Sequence, residues 1–220
     1  MTFQEQLDQV SADLQEEAEY VLRALRGTLN ALRQGDVELA EEVVNFDDQI
    51  DARNVAIEQE IESLFATQAP VASDLRLVIA TLHVNRALER IGDNCVTIAK
   101  VVTVVADLEG DELLLEVFEE MGVRAEEMIR VAMGAFAARD VARAESLAAL
   151  DEMIDRVNRR GVNSVLDLMG DAAKREWGLR VLLIFRCLER IGDQAVDIGE
   201  QTAYVVTAQH RDFSDESHNR

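Results

Sequence analysis

The sequence predicts an all-α protein built as two tandem three-helix bundles related by internal duplication. The hexamer Leu88-Glu89-Arg90-Ile91-Gly92-Asp93 returns one hundred residues later as Leu188-Glu189-Arg190-Ile191-Gly192-Asp193, and the likeness continues in Arg86/Arg186, Val96/Val196 and Ile98/Ile198. Around it, Leu77, Thr81, Val84, Leu88, Ile91, Cys95, Ile98 and Val102 alternate steps of four and three, the seam of a bundle helix. Trp177, Val181, Ile184, Leu188, Ile191, Ala195, Ile198, Thr202 and Val205 repeat that seam. A single proline, Pro70, and only 5% aromatic residues in a chain rich in Ala, Leu, Glu and Arg agree with helix throughout.

Breaks at Arg33-Gln34-Gly35-Asp36, Thr67-Gln68-Ala69-Pro70 and Leu108-Glu109-Gly110-Asp111 divide the first half into helices over 3–33, 36–66 and 72–106. Ser73 and Asp74 are candidate caps of the third. A shift of 104 residues sets Asp36-Val37 on Asp140-Val141, and Asp47, Ile50, Asp51 and Asn54 on Asp151, Ile154, Asp155 and Asn158. The second half therefore repeats all three helices. The shift falls from 104 to 100 before the third helix, a difference assigned to a loop. The expected units are a first repeat over 1–107, a second over 111–208 and a mobile polar tail over 209–220, which holds one apolar side chain and no period.

The formal charge is −21, from 43 acidic and 22 basic residues. Such a field repels nucleic acid and anionic lipid and attracts divalent cations and basic protein surfaces. No apolar run is long enough for a bilayer span and residues 1–30 lack a signal-like pattern, so a cytoplasmic protein without membrane insertion is expected. The two cysteines, Cys95 and Cys187, do not have zinc-type spacing and suit a reduced compartment. His83, His210 and His218 form no Glu-x-x-His on a bundle helix, which disfavours ferritin-like chemistry. Phosphate-binding glycine loops and nucleophile elbows are missing too, so no enzyme is expected.

The chemistry-bearing residues are carboxylates four apart. Glu89 and Asp93, and Glu189 and Asp193, stand side by side on the third helices. Asp47 with Asp51, and Asp151 with Asp155, do the same on the second helices. Four carboxylates per half on neighbouring helices suit a metal site of oxygen ligands, for magnesium, manganese, iron or, less readily, zinc. At 100° per residue, Glu89 and Asp93 lie roughly 100–140° away from Leu88, which places them on an outer groove. Gly92 and Gly192 sit mid-helix, where glycine costs about 1 kcal/mol against alanine, and imply close approach of a neighbouring helix or of bound ions and water. The competing reading is a solvated face on which Arg86, Glu89 and Arg90 make ordinary surface ion pairs.

Tandem three-helix units, each with Leu-Glu-Arg-Ile-Gly-Asp followed by Val-x-Ile, closely resemble the PhoU family of phosphate-signalling regulators. The resemblance covers about residues 3–207 and is most specific over 86–98 and 186–200; Pro70-Val71-Ala72-Ser73-Asp74-Leu75-Arg76 also matches the family's entry into its first third helix. It implies multinuclear iron or zinc, or other divalent ions, on the bundle surface at Glu89/Asp93 and Glu189/Asp193, with Asp47, Asp51, Asp151 and Asp155 at matching acidic positions. Asn94 and Gln194 follow the motif aspartates where the family often has His or Gln, and Asp197 extends the second ladder where the first has Thr97, so the two sites need not bind equally. The resemblance further implies a homodimeric negative regulator of the phosphate-starvation response, an adaptor between the ATPase subunit of the phosphate ABC transporter and a sensor histidine kinase. A metal-dependent phosphoester hydrolase and a plain helical dimerisation scaffold are the alternatives.

Overall fold

A computed structural model describes residues 2–213 as seven helical segments with no strand among them. They are α1 (Phe3–Gln34), α2 (Val37–Gln68), α3 (Ser73–Val105), α4 (Glu112–Ala138), α5 (Val141–Glu145), α6 (Leu147–Leu168) and α7 (Arg175–Thr207). Helices α1, α2 and α3 pack on one another as the first bundle, and α4, α5, α6 and α7 as the second. The two bundles join through α3 against α7, the most extensive helix contact, and through α1 against α4. Among the described residues no helix is long and apolar enough to cross a membrane.

Local chemistry explains most of the helix ends. Thr2 and Glu5 form a reciprocal capping box at the start of α1, and Gly35 closes that helix in the left-handed conformation, φ 64°. Asp36 and Asp140, one repeat apart, each accept a backbone N–H three residues on, from Leu39 at 3.0 Å and Arg143 at 3.0 Å. Ser73 and Asp74 do not cap α3: the N-cap residue is Ala72, which has no side chain to accept a hydrogen bond.

The second repeat departs from the first in two ways. Its second helix is interrupted at Ser146, whose backbone stays right-handed helical while its hydroxyl donates to the Arg143 carbonyl at 2.6 Å. The four-residue difference between the copies is not absorbed by a loop alone. Helix α6 stops at Leu168, one turn short of where the shift of 104 places the counterpart of Gln68, and the connection to α7 is longer than the one between α2 and α3. Residues 209–213 of the expected tail pack back on the second bundle. Phe213 is buried and its N–H donates to Glu200 at 2.9 Å, while His210 stacks on Tyr204 at 4.2 Å between centroids. Residues 214–220 lie outside the described residues.

Both seams are buried along their whole length, from Leu77 to Val102 and from Trp177 to Val205. Shape as well as hydrophobicity fixes the helix spacing. Gly161 on α6 faces the Phe185 ring, itself locked against Phe118 at 4.4 Å, and a Cβ at Gly161 would meet that ring at 2.2 Å. G161A is therefore expected to destabilise the fold by about 1–3 kcal/mol despite alanine's better helix propensity. Thermal or urea unfolding checks this; an unchanged midpoint would contradict the packing described.

Candidate functional site

The sequence-predicted carboxylates come together in two grooves, one between α2 and α3 and one between α6 and α7. Each groove depends on the glycine of the hexamer. A Cβ on Gly92 would lie 3.3 Å from Ile50 Cγ2 and 3.5 Å from Asp47 Oδ1; on Gly192 it would lie 3.3 Å from Asp151 Oδ1 and 3.5 Å from Ile154 Cγ2. The missing side chain lets the neighbouring helix lay an aspartate over the hexamer backbone. The predicted outward tilt is also observed: Asp51, Asp93 and Asp193 are exposed, and Asp47, Glu89, Asp151, Asp155 and Glu189 are half-buried at the groove wall.

Proximity shows in the proton affinities. Burial, reinforced by Asp51 and Asp93, pushes Asp47 up to about 6. Burial, reinforced by Asp155, Asp193 and Glu189, pushes Asp151 up to about 6. Glu89 is raised by burial and then by Asp93 and Asp51, against the pull of Arg90, so carboxylates of both helices bear on Asp47 and Glu89. Asp193 is raised by burial and Glu189, against the pull of Arg186.

The grooves are not equally neutralised, and the duplication shows why. Arg86 reaches across to Glu58 on α2 at 3.5 Å. The counterpart of Glu58 is Val162, so Arg186 turns back along its own helix and pairs with Glu189. Likewise Arg159 pairs with Asp155 one turn away at 3.3 Å, whereas its counterpart beside Asp51 is the exposed Val55. Among the described residues no arginine or lysine pairs with Asp47, Asp51, Glu89 or Asp93. The solvated-face reading thus describes part of the second groove and not the first. Nor do the carboxylates form a closed shell: among the described residues no three His, Cys, Asp or Glu side chains are gathered closely enough to hold a metal ion.

One residue near the first groove was missed in the sequence. Glu17 on α1 is 0% exposed, and neither carboxylate oxygen has a hydrogen-bond partner. Burial pushes it up to about 8, opposed by Asn54 and Arg53 and aided by Glu89. Beside it Asn54 and Asn85 exchange side-chain to backbone bonds at 3.1 and 3.0 Å, tying α2 to α3. The counterparts of Glu17 and Asn85 are Met121 and Phe185. The signal was available: Leu7, Val10, Leu14, Glu17, Val21 and Thr28 follow the seam spacing, so Glu17 stands where an apolar residue belongs. Both cysteines are buried and free, and burial pushes their thiols up, Cys187 to about 11, so neither is a thiolate nucleophile at neutral pH.

A duplicated all-helical bundle carrying one acidic groove per repeat defines the class of protein. The PhoU domain family matches residues 14–102 and again 118–202, and the chain belongs to that family. A phosphate-specific transport system accessory protein PhoU homolog of Clostridium acetobutylicum is 29% identical over 97% of this chain and 98% of its own length. Its namesake in Pseudomonas aeruginosa is 32% identical over 93% of this chain and 85% of its own. Among solved structures, PhoU from Pseudomonas aeruginosa superposes with a TM-score of 0.89 at 30% identity, covering 94% of this chain and all of that one. The phosphate transport system regulatory protein PhoU from Streptococcus pneumoniae gives the same score and identity over 96% of this chain.

The raised carboxylates fix the sign of the pH response. Between the ordinary carboxylate range and the raised value, the folded chain holds a proton that the unfolded chain has released, so stability falls as pH rises through that window. The window runs from 3.8 to about 6 for Asp47 and Asp151 and from 4.5 to about 8 for Glu17. Chelator-treated protein is expected to melt several degrees higher at pH 5 than at pH 8, and E17Q to flatten the upper part of that slope. Melting curves across the range check it, and a rise in melting temperature with pH would contradict the groove electrostatics.

Proposed function

We propose that this chain is a non-enzymatic accessory and regulatory protein of phosphate transport, acting in the cytoplasm as a negative regulator of the phosphate-starvation response. Its partners in this reading are the ATPase subunit of the phosphate transporter and a sensor histidine kinase. Family membership and the relatives' names as accessory proteins of the phosphate-specific transport system support the transport side. The observation that carries the site is the raised proton affinity of one aspartate lying over each hexamer glycine, Asp47 and Asp151, under the charge of carboxylates on both helices, with no arginine ion pair in the first groove.

The oxygen donors suit divalent or multinuclear metal in kind, and the side chains would have to draw closer than they stand here to bind it. Asp47, Asp51, Glu89 and Asp93 would hold it in the first groove, and Asp151, Asp155, Glu189 and Asp193 in the second. Bound metal supplies positive charge that cancels the repulsion and reverses the sign of the local surface. The chain's own residues set how strongly that happens: carboxylates of the first groove have no ion pair to break, whereas Glu189 and Asp155 must first give up Arg186 and Arg159. A switch of surface charge on an acidic bundle is a means of docking and undocking partners rather than of turning over a substrate. Open grooves that exclude little water offer hydrolytic chemistry no advantage.

Manganese titration of chelator-treated protein tests the metal reading. E89Q/D93N is expected to remove the tighter class of sites, and V55R, which places an arginine one turn from Asp51, to weaken it about twofold. R159V should strengthen the second groove in turn. Unchanged manganese binding in E89Q/D93N would overturn the assignment. Co-precipitation with the kinase and the ATPase subunit tests the adaptor role, and capture of neither would overturn that.

A further inference from the structure

The cleft between the two repeats is lined by cations, in a chain whose acidic residues outnumber its basic ones by 43 to 22. It lies along the α3–α7 contact, has a volume of about 670 Å³, and collects Arg90 and Arg190 from the two hexamers together with Arg186 and Lys100. Arg186 is paired with Glu189. Arg90, Arg190 and Lys100 have no ion-pair partner among the described residues, although every basic residue here has about two acidic ones available on average. Asp47, Asp93 and Asp193 share the same walls, and the charge of Lys100 acts on Asp47. Arg90 and Arg190, and Asp93 and Asp193, are equivalent residues of the two hexamers, so both copies bring a donor and an acceptor to one cleft.

We propose that this cleft is an oxyanion site that takes one phosphoryl group per chain, held by Arg90 and Arg190 with Lys100 as a third donor. Guanidinium groups offer paired N–H donors that match two oxygens of a tetrahedral anion. The overall negative field does not forbid this, because at physiological salt charges beyond about 8 Å are largely screened and the nearest cations decide. The carboxylates set the selectivity. Asp93 and Asp193 can only accept hydrogen bonds when ionised, so they favour an anion that still carries a proton, as inorganic phosphate does near neutral pH, over sulfate and over a phosphate monoester, which is mostly doubly ionised there. The site lies on the seam between the bundles, so its occupant would bridge α3 and α7. The inference stands on the cleft itself and does not require metal in the grooves.

The test is calorimetric titration of chelator-treated full chain with inorganic phosphate, sulfate and O-phosphoserine at matched ionic strength, beside R90Q/R190Q and K100Q. Wild type is expected to bind one phosphate per chain at least fivefold more tightly than sulfate. R90Q/R190Q should weaken it at least tenfold while far-UV circular dichroism stays unchanged, and K100Q should weaken it less. O-phosphoserine is expected to bind more weakly than phosphate, and tighter binding of it would overturn the selectivity argued from the carboxylates. No phosphate binding, equal affinity for sulfate, or binding that R90Q/R190Q leaves intact would overturn the proposal. Manganese binding by R90Q/R190Q, measured on the same samples, separates the two readings: retained manganese with lost phosphate supports the oxyanion site, and retained manganese with no phosphate bound even by wild type overturns it alone.

Discussion

Like-charge repulsion between carboxylates on two helices forced into contact is the constraint from which the rest of this structure follows. Gly92 and Gly192 create it, since their missing side chains let Asp47 and Asp151 sit over the hexamer backbone within reach of Glu89, Asp93, Glu189 and Asp193. A sequence selected for stability alone would place alanine and a neutral partner there. The fold instead holds the repulsion in place by burying the opposite face of the same helices along two uninterrupted apolar seams. The energetics of the core and the electrostatics of the groove are thus two faces of one helix pair, and they oppose each other.

Duplication then supplies an internal comparison. Both repeats keep the glycine contact and the four carboxylates, but only the second surrounds them with arginine. The difference traces to two substitutions between the copies: Glu58 against Val162 decides where the hexamer-flanking arginine goes, and Val55 against Arg159 decides whether the second-helix aspartate is paired. The buried Glu17, Asn54 and Asn85 stand behind the bare groove, while Met121 and Phe185 stand behind the neutralised one. Uncompensated charge is therefore concentrated in the first repeat.

Much of this is legible in the sequence because it follows from period and spacing. The seams, the outward turn of the carboxylates and the glycine contacts all appear where helical geometry places them. What escapes depends on neighbours far along the chain or on small shifts in helix ends. Nothing local distinguishes Arg86 from Arg186, since each has a glutamate three residues on; only the residue across the groove decides between them. The early stop of α6 and the docking of Phe213 likewise reflect tertiary packing with no marker of their own. Glu17 was legible in principle, as an acid at a seam position.

The central claim, that the paired carboxylates exist to collect multivalent cations, is tested most directly by anomalous diffraction at the manganese edge from crystals grown with manganese. The account predicts peaks between α2 and α3 beside Gly92, stronger than those between α6 and α7 beside Gly192. Crystals diffracting well with no peak in either groove, or with manganese bound only at carboxylates elsewhere, would contradict it.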